Sequence, residues 1–411
     1  MGINFDTGYA TAIYKQRYTD SKIETIAFKS ALLAMMPKDP NYGGSNFVGA
    51  IRIAVTTARS ALPTTAYTAG SPSTYERWTC AWENDYASAN ITGQVIDQAR
   101  GNSNAMVDAL VSEFDGAFIA LGQSLGAALF ENGGGAIGIV SAGSNVGSAT
   151  ITLSNISNVV NFQVGQILQA ATDDGSASPG AGVLSGTVTL TGVNVNTGTL
   201  TVATTWSGGI ASIAAGNYLF NQGDYGAKVI GLAGWLPNTD PGNSDSFNGV
   251  NRSVDPARLA GARYTGNGAP YSESITELLA LVNRIGGHPD KMFCNPLDYA
   301  NIVKELGSRV IYTTETAFNN PQIGFRGIEY ATPFGVMNIL QDPYCPQGQA
   351  YALQMDTWLL PSMGKVPKVA GEDVDGLDWL RVPNDDAYQA RFCYRATSYC
   401  KAPGWNGVVI W

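Results

Sequence analysis

Residues 106–131 read MVDALVSEFDGAFIALGQSLGAALFE, with apolar side chains at 106, 107, 110, 111, 114, 118, 121, 125 and 129. This spacing follows the helical turn and predicts one amphipathic helix, roughly 40 Å long at the usual rise per residue. Asn102 or Ser103 can cap its start, and the ENGGG after Phe130 ends it with residues that tolerate left-handed backbone. Gly116, Gly122 and Gly126 lie inside the helix. Each costs about 1 kcal/mol relative to alanine, so close approach of a neighbouring backbone is the expected compensation.

The same helix disposes of a tempting motif. LGQSLG at 121–126 holds a Gly-x-Ser-x-Gly pattern centred on Ser124. A nucleophile elbow needs a strand, a sharp turn and then a helix, whereas Ser124 sits several turns into one. The single histidine, His288 in GGHPDK, reads as a turn residue and not as a catalytic base. GGGAIG at 133–138 matches a dinucleotide fingerprint but follows a helix, the reverse of the strand such a site requires. Neither a hydrolase nor a nucleotide enzyme is expected.

Composition narrows the partners. The chain has 411 residues, long enough for two or three cores, with 14% charged residues and 48 glycines. So little charge points to surface that becomes covered. A formal charge of −9 argues against a dedicated nucleic-acid binder, so double-stranded DNA is expected only in weak contact. There is no run of 18 or more apolar residues and no basic-then-apolar leader at the start, so no membrane association is expected and synthesis in the cytosol is. Cys80, Cys294, Cys345, Cys393 and Cys400 are scattered without a Cys-x-x-Cys pair, and reduced, mostly buried thiols are expected. No metal, cofactor or catalytic set is assigned; EDVDGLD at 372–378 lacks the ligand spacing of a calcium loop and reads as a solvated turn.

Outward from the helix, the chain changes character on both sides. Between Ala136 and Gln222 the only charges are Asp173 and Asp174, and short alternating runs such as GTVTLTGV are separated by glycine turns. That pattern predicts a small antiparallel sandwich or barrel. Residues 43–100 read as two long strands joined by a Thr/Ser/Pro-rich tip, with Tyr75, Trp78, Trp82 and Tyr86 on the returning arm. A two-stranded ribbon is marginal in water, so packing on another molecule is expected. Beyond 222, a helix at 273–285, a short strand, a second helix capped by Asn295 and ending at Gly307, and strands at 326–331, 335–341 and 349–356 make an α+β lobe. AYQARFCYRATSYC should place Ala390, Phe392 and Tyr394 on a buried face and Gln389, Arg391, Cys393 and Arg395 on the other. The apolar GWNGVVIW at the end is expected to pair into a sheet and return to the lobe of the long helix.

This order of parts, together with GLAGWLP (231–237), VNRSVDPARLAG (250–261), HPDKMFCNPLDYANIVKELG (288–307) and ILQDPYCPQGQAYALQMDTWLLPSMG (339–364), resembles tailed-phage major capsid proteins of the Hong Kong 97 type. The resemblance spans almost the whole chain. It implies an α+β capsid fold divided as an N-terminal arm (1–42), an extended hairpin loop (43–84), a peripheral domain with its spine helix (85–135), an inserted β-rich domain (136–222), a connecting segment (223–272), an axial domain (273–358) and return strands of the peripheral domain (359–411). It implies hexamers and pentamers in an icosahedral shell around double-stranded DNA, a homo-oligomer assembled in the host cytoplasm and ending in the virion. A separate scaffolding protein, a portal and a decoration protein are the implied partners. Arg52, Arg59, Tyr75, Glu76, Arg77, Trp78 and Trp82 are the candidate subunit-interface residues, the tryptophans being weighed against packing within their own subunit. No lysine lies between Lys38 and Lys228, so the hairpin cannot supply one for a covalent cross-link of the kind some relatives form. A β-rich tail or surface adhesin, binding carbohydrate through 136–222, is the alternative.

Overall fold

The computed structural model describes residues 30–93, 103–177, 180–243, 245–307, 311–317, 320–370, 380–383 and 385–411. Most of the N-terminal arm, the Asn102 cap and the acidic turn at 372–378 lie outside them.

The described chain opens with a short buried helix, α1 (Ala31–Met35), whose N-cap is Ser30. Its fastening comes from afar. Asp342 accepts hydrogen bonds from Ser30 Oγ at 2.8 Å and Leu32 N at 3.1 Å, and from Tyr344 N at 3.0 Å. Two strands follow, β1 (Asn46–Ala54) and β2 (Thr74–Ala81), paired antiparallel, with a helical turn, α2 (Pro63–Ala69), at the tip between them. β3 (Glu83–Thr92) then leads toward the long helix, α3 (Ser103–Ala128).

Phe114, Phe118, Leu121, Leu125 and Leu129 of this stretch are all buried. The expected compensation for its glycines is only partly present. A side chain at Gly116 would meet nothing within 4 Å, and at Gly126 the close neighbours are the Tyr344 ring and the Ser30 Cβ, not backbone. The tight backbone approach is made from the other side: a Cβ at Gly231 would run into the carbonyls of Ala128 and Leu129 at the helix end. This explains the glycine that opens GLAGWLP.

Six strands then form a small barrel: β4 (Ala136–Ile139), β5 (Thr150–Thr152), β6 (Ile167–Ala171), β7 (Val188–Asn194), β8 (Thr199–Val202) and β9 (Tyr218–Asn221). Their order is β4-β9-β6-β7-β8-β5, and a bridge between Val140 and Leu153 joins the two ends. Closure leaves no free edge, and the interior is a separate core around Leu168, Leu200, Trp206 and Leu219. Of the two sheet forms the sequence allowed, the barrel is realised.

The α+β lobe is a seven-stranded mixed sheet. Its strands are β10 (Ala262–Thr265), β11 (Lys291–Cys294), β12 (Ile311–Ala317), β13 (Asn320–Thr332), β14 (Gly335–Gln341), β15 (Gln349–Leu353) and, past β16 (Ala387–Ala396) in another sheet, β17 (Gly407–Ile410). The order is β10-β17-β15-β11-β14-β13-β12, with β10–β17 and β11–β14 parallel. Helices α4 (Tyr271–Arg284) and α5 (Pro296–Leu306) belong to this lobe. α5 starts as expected, Asn295 Oδ1 accepting from Leu297 N at 3.0 Å, and ends at Gly307. α4 begins two residues before the expected Glu273 because the Glu305 carboxylate accepts from Tyr271 N and Ser272 N. That cap comes from a different helix and leaves no local signal.

Two expectations are corrected. The terminal strand β17 does not return to the lobe of the long helix; it lies between β10 and β15 of the seven-stranded sheet, so the span 359–411 is not wholly peripheral. The return is made by β16, which pairs with β3 from Thr92↔Ala387 to Glu83↔Ala396 and packs Phe392 on Phe114, centroids 4.3 Å apart. Cys393, expected on the exposed face of β16, is buried, because Lys368 and Val369 pair across Cys393 and Phe392. All five thiols are free and buried.

Burial pushes the Asp342 carboxyl up to about 6 against the opposing pull of its donors at Leu32, Tyr344 and Ser30. The folded chain therefore holds this proton more tightly than the unfolded one, and the contribution to stability falls as pH rises from about 4 to 6. In urea unfolding, wild type should lose about 2 kcal/mol relative to Asp342→Asn between pH 4.5 and pH 7. An unchanged difference would refute the assignment.

Candidate assembly surface

The β1–β2 hairpin is rooted at one end only. Asn46 pairs with Ala81, Gly49 with Trp78 and Arg52 with Tyr75. At the root, Phe47 stacks on Tyr399 at 4.9 Å, and a Cβ on Gly49 would collide with the Tyr399 ring. Trp78 is fully buried, edge-on to Trp235 at 5.2 Å and near Phe247 at 6.0 Å. Thr79 N donates to the Asn248 carbonyl at 2.8 Å, and the Arg252 guanidinium lies 4.1 Å from the Phe247 centroid. Arg252 also donates to Asp245 and to the Gly234 carbonyl, each at 2.7 Å. Trp235 of GLAGWLP with Phe247 and Asn248, braced by Arg252 of VNRSVDPARLAG, thus forms the socket that receives the hairpin.

Past Trp78 the hairpin has no buried residue among those described. Val55 is 60% exposed, Leu62 63%, Tyr67 90% and Tyr75 64%. The tip is braced on itself, with Thr57 N donating to the Ser71 carbonyl and Ser71 N to Thr57 Oγ1. Arg52, Arg59, Glu76 and Arg77 are exposed and make no ion pair with a described residue. The arm offers apolar side chains with unspent charges beside them, as a surface awaiting a partner does.

The seven candidate residues therefore separate. Arg52, Arg59, Tyr75, Glu76 and Arg77 sit on the free part of the arm. Trp78 is a correction: its ring is enclosed by its own subunit, so it anchors the hairpin and is closed to a neighbour. Trp82 follows it, half-buried against the same core, with Nε1 donating to the Gly44 carbonyl at 3.0 Å. Sequence reasoning missed Leu62 and Tyr67, whose exposure depends on where the tip sits in space.

The other concentration of chemistry lies where β3, α3 and the base of the barrel meet. Lys228 Nζ contacts Asp85 Oδ2 at 2.6 Å, Asp224 Oδ2 at 3.0 Å and Ser124 Oγ at 2.9 Å. Ser124 and Tyr394 donate to the same Asp85 oxygen, at 2.6 and 3.2 Å. Burial raises the Asp224 carboxyl, Lys228 opposes that shift and Asp85 adds to it. Ser124 is thus committed to a carboxylate, while His288 is bonded to Asn283 elsewhere. This cluster pins three elements together and has no arrangement for nucleophilic attack.

Residues 189–374 match the family model for the SU10 major capsid protein. No curated protein sequence matches the chain. Among solved structures, a cyanophage A-1(L) capsid asymmetric unit is similar with a TM-score of 0.51 at 9% identity, over 94% of this chain and 92% of that one. The capsid of a native GTA particle (TM-score 0.47, 8% identity, 93% and 90% covered) and Mycobacterium phage Ogopogo (0.43, 9%, 93% and 92%) are also similar. The cyanophage match identifies the mixed α and β fold as that of a phage capsid subunit.

Two substitutions test this description. Trp78→Ala empties the socket and should cost about 3–5 kcal/mol in urea unfolding, whereas Tyr75→Ala, three residues along the same strand, should change stability by less than about 0.5 kcal/mol. Lys228→Met leaves two half-buried carboxylates without their shared cation and should cost about 2–3 kcal/mol, measured the same way.

Proposed function

We propose that this chain, a major capsid protein of a tailed phage, assembles as hexamers and pentamers into an icosahedral head enclosing double-stranded DNA. It is a structural protein and not an enzyme; the family whose model it matches builds shells. The observation that carries the assembly reading is the hairpin: buried and braced at Trp78, with Val55, Leu62, Tyr67 and Tyr75 exposed along its free part. A ribbon of this kind gains its stability by lying on a neighbouring subunit, and repetition around a ring converts many weak contacts into one stable shell.

In this reading, the free part of the arm meets a neighbour through Arg52, Arg59, Tyr75, Glu76 and Arg77, with Leu62 and Tyr67 adding apolar area at the tip. The rooted tryptophans fix the angle at which the arm leaves. The β3–β16 sheet with α3 is the peripheral domain, the seven-stranded sheet the core of the axial domain, and the barrel an insertion between them. A scaffolding protein, a portal and a decoration protein are proposed partners, and the acidic chain holds packaged DNA only weakly. Assembly takes place in the host cytoplasm, and the finished protein resides in the virion.

Purified chain, alone and with a co-expressed scaffolding protein, should yield rings or closed particles in negative-stain microscopy and sedimentation; monomers under every condition would overturn the reading. The double variant Leu62→Ser, Tyr67→Ser should keep its unfolding midpoint and lose most of the particles. Because no lysine lies between Lys38 and Lys228, the hairpin contacts are non-covalent, and particles boiled in detergent should run as a single monomer band, not a ladder.

A further inference from the structure

We propose that the cleft between the long helix and the barrel binds a primary alkylammonium ion. The cleft encloses about 330 Å³, at the small end of ligand pockets. Ala120 and Ala127 of α3 and Val160 and Val164 of the barrel supply apolar walls, while Glu131, Asp224 and Lys228 also line it. Gln123 and Gln163, joined at 2.6 Å, tie helix to barrel beside it.

The charges in the cleft do not balance. The ammonium of Lys228 is already shared between Asp85 and Asp224, leaving that group one negative charge in excess when ionised. Glu131 adds a carboxyl whose side chain has no hydrogen-bond or ion-pair partner among the described residues. The charge that acts on it is another carboxylate, Asp174, itself engaged by Asn132 Nδ2 at 2.6 Å and by Ser176. Burial and Asp174 together push Glu131 up to about 7, which is the condition of a carboxyl lacking a cation.

An alkylammonium answers both features of the cleft. Its head donates to Glu131 while its methylenes lie along the alanine and valine walls. A divalent metal ion fits worse, since it demands oxygen ligands on most sides, and no group of three acidic, histidine or cysteine side chains among the described residues could hold one. The same ammonium chemistry is carried by a free amine and by a lysine side chain of a partner protein.

The test is thermal unfolding of the full chain with 1,5-diaminopentane, against sodium chloride and magnesium chloride at equal ionic strength. The amine should raise the midpoint by about 1.5 °C over both salts at ten times its dissociation constant. Glu131→Gln should abolish the difference. Val164→Trp, at a position 65% exposed and therefore tolerant, should abolish it independently by filling the cleft. An N-acetyl-lysine methylamide arm separates the sources: a response to it alone assigns the ammonium to a partner's lysine, a response to both admits free amines. A midpoint raised no more by either amine than by sodium chloride, an equal response to magnesium, or a response kept by both variants would overturn the proposal.

Discussion

The burial of Trp78 against Trp235 and Phe247 is the contact on which the rest of this molecule depends. A two-stranded ribbon cannot fold alone, because each face has too little to cover it. By sinking Trp78 and Cys80 of β2 into the core and closing Phe47 and Gly49 under Tyr399, the chain makes the root of the hairpin part of a folded domain. The remainder can then be exposed and apolar without collapsing. An arm that is fixed in direction and unsatisfied in contacts is what a shell built from identical copies requires.

The same economy appears at the joints between lobes. Single buried polar groups hold segments far apart in sequence: Asp342 fastens α1 to the seven-stranded sheet, and Lys228 joins β3, α3 and the base of the barrel. Each is surrounded by donors or opposite charge, since a buried charge is tolerated only when its partners are in place. Joints of this kind fix how the lobes meet within one subunit. Glu131, beside the Lys228 cluster, departs from this rule, which is why the cleft it lines reads as a place for something further.

Much of this was legible beforehand where local physics decides. The periodicity of 106–131 specified a long helix and its buried face, Asn295 and Pro296 located the start of α5, and the charge-poor alternating stretch after Ala136 specified an all-β unit. The hairpin was visible as a pair of strands with no partner. Legibility ended where distant segments choose among surfaces. Trp78 and Tyr75 lie on one strand and both belong to residue types favoured at interfaces, yet one is fully buried and the other 64% exposed. Gly116 and Gly126 look alike in the helix, yet only Gly126 has a close neighbour there.

The amino-acid sequence by itself determined the long helix and the alternating strands, the Asn295 cap, the absence of a lysine from the hairpin and the charge-poor composition of the barrel, because each of these is set within a few residues. Only the tertiary structure decided that GVVI joins the seven-stranded sheet while AYQARFCYRA returns to the long helix, that Cys393 is covered, and that Lys228 meets Asp85 across 143 positions. Strand partners and buried ion clusters are selected by the sum of many contacts in the assembled core, and no short stretch of chain carries that sum.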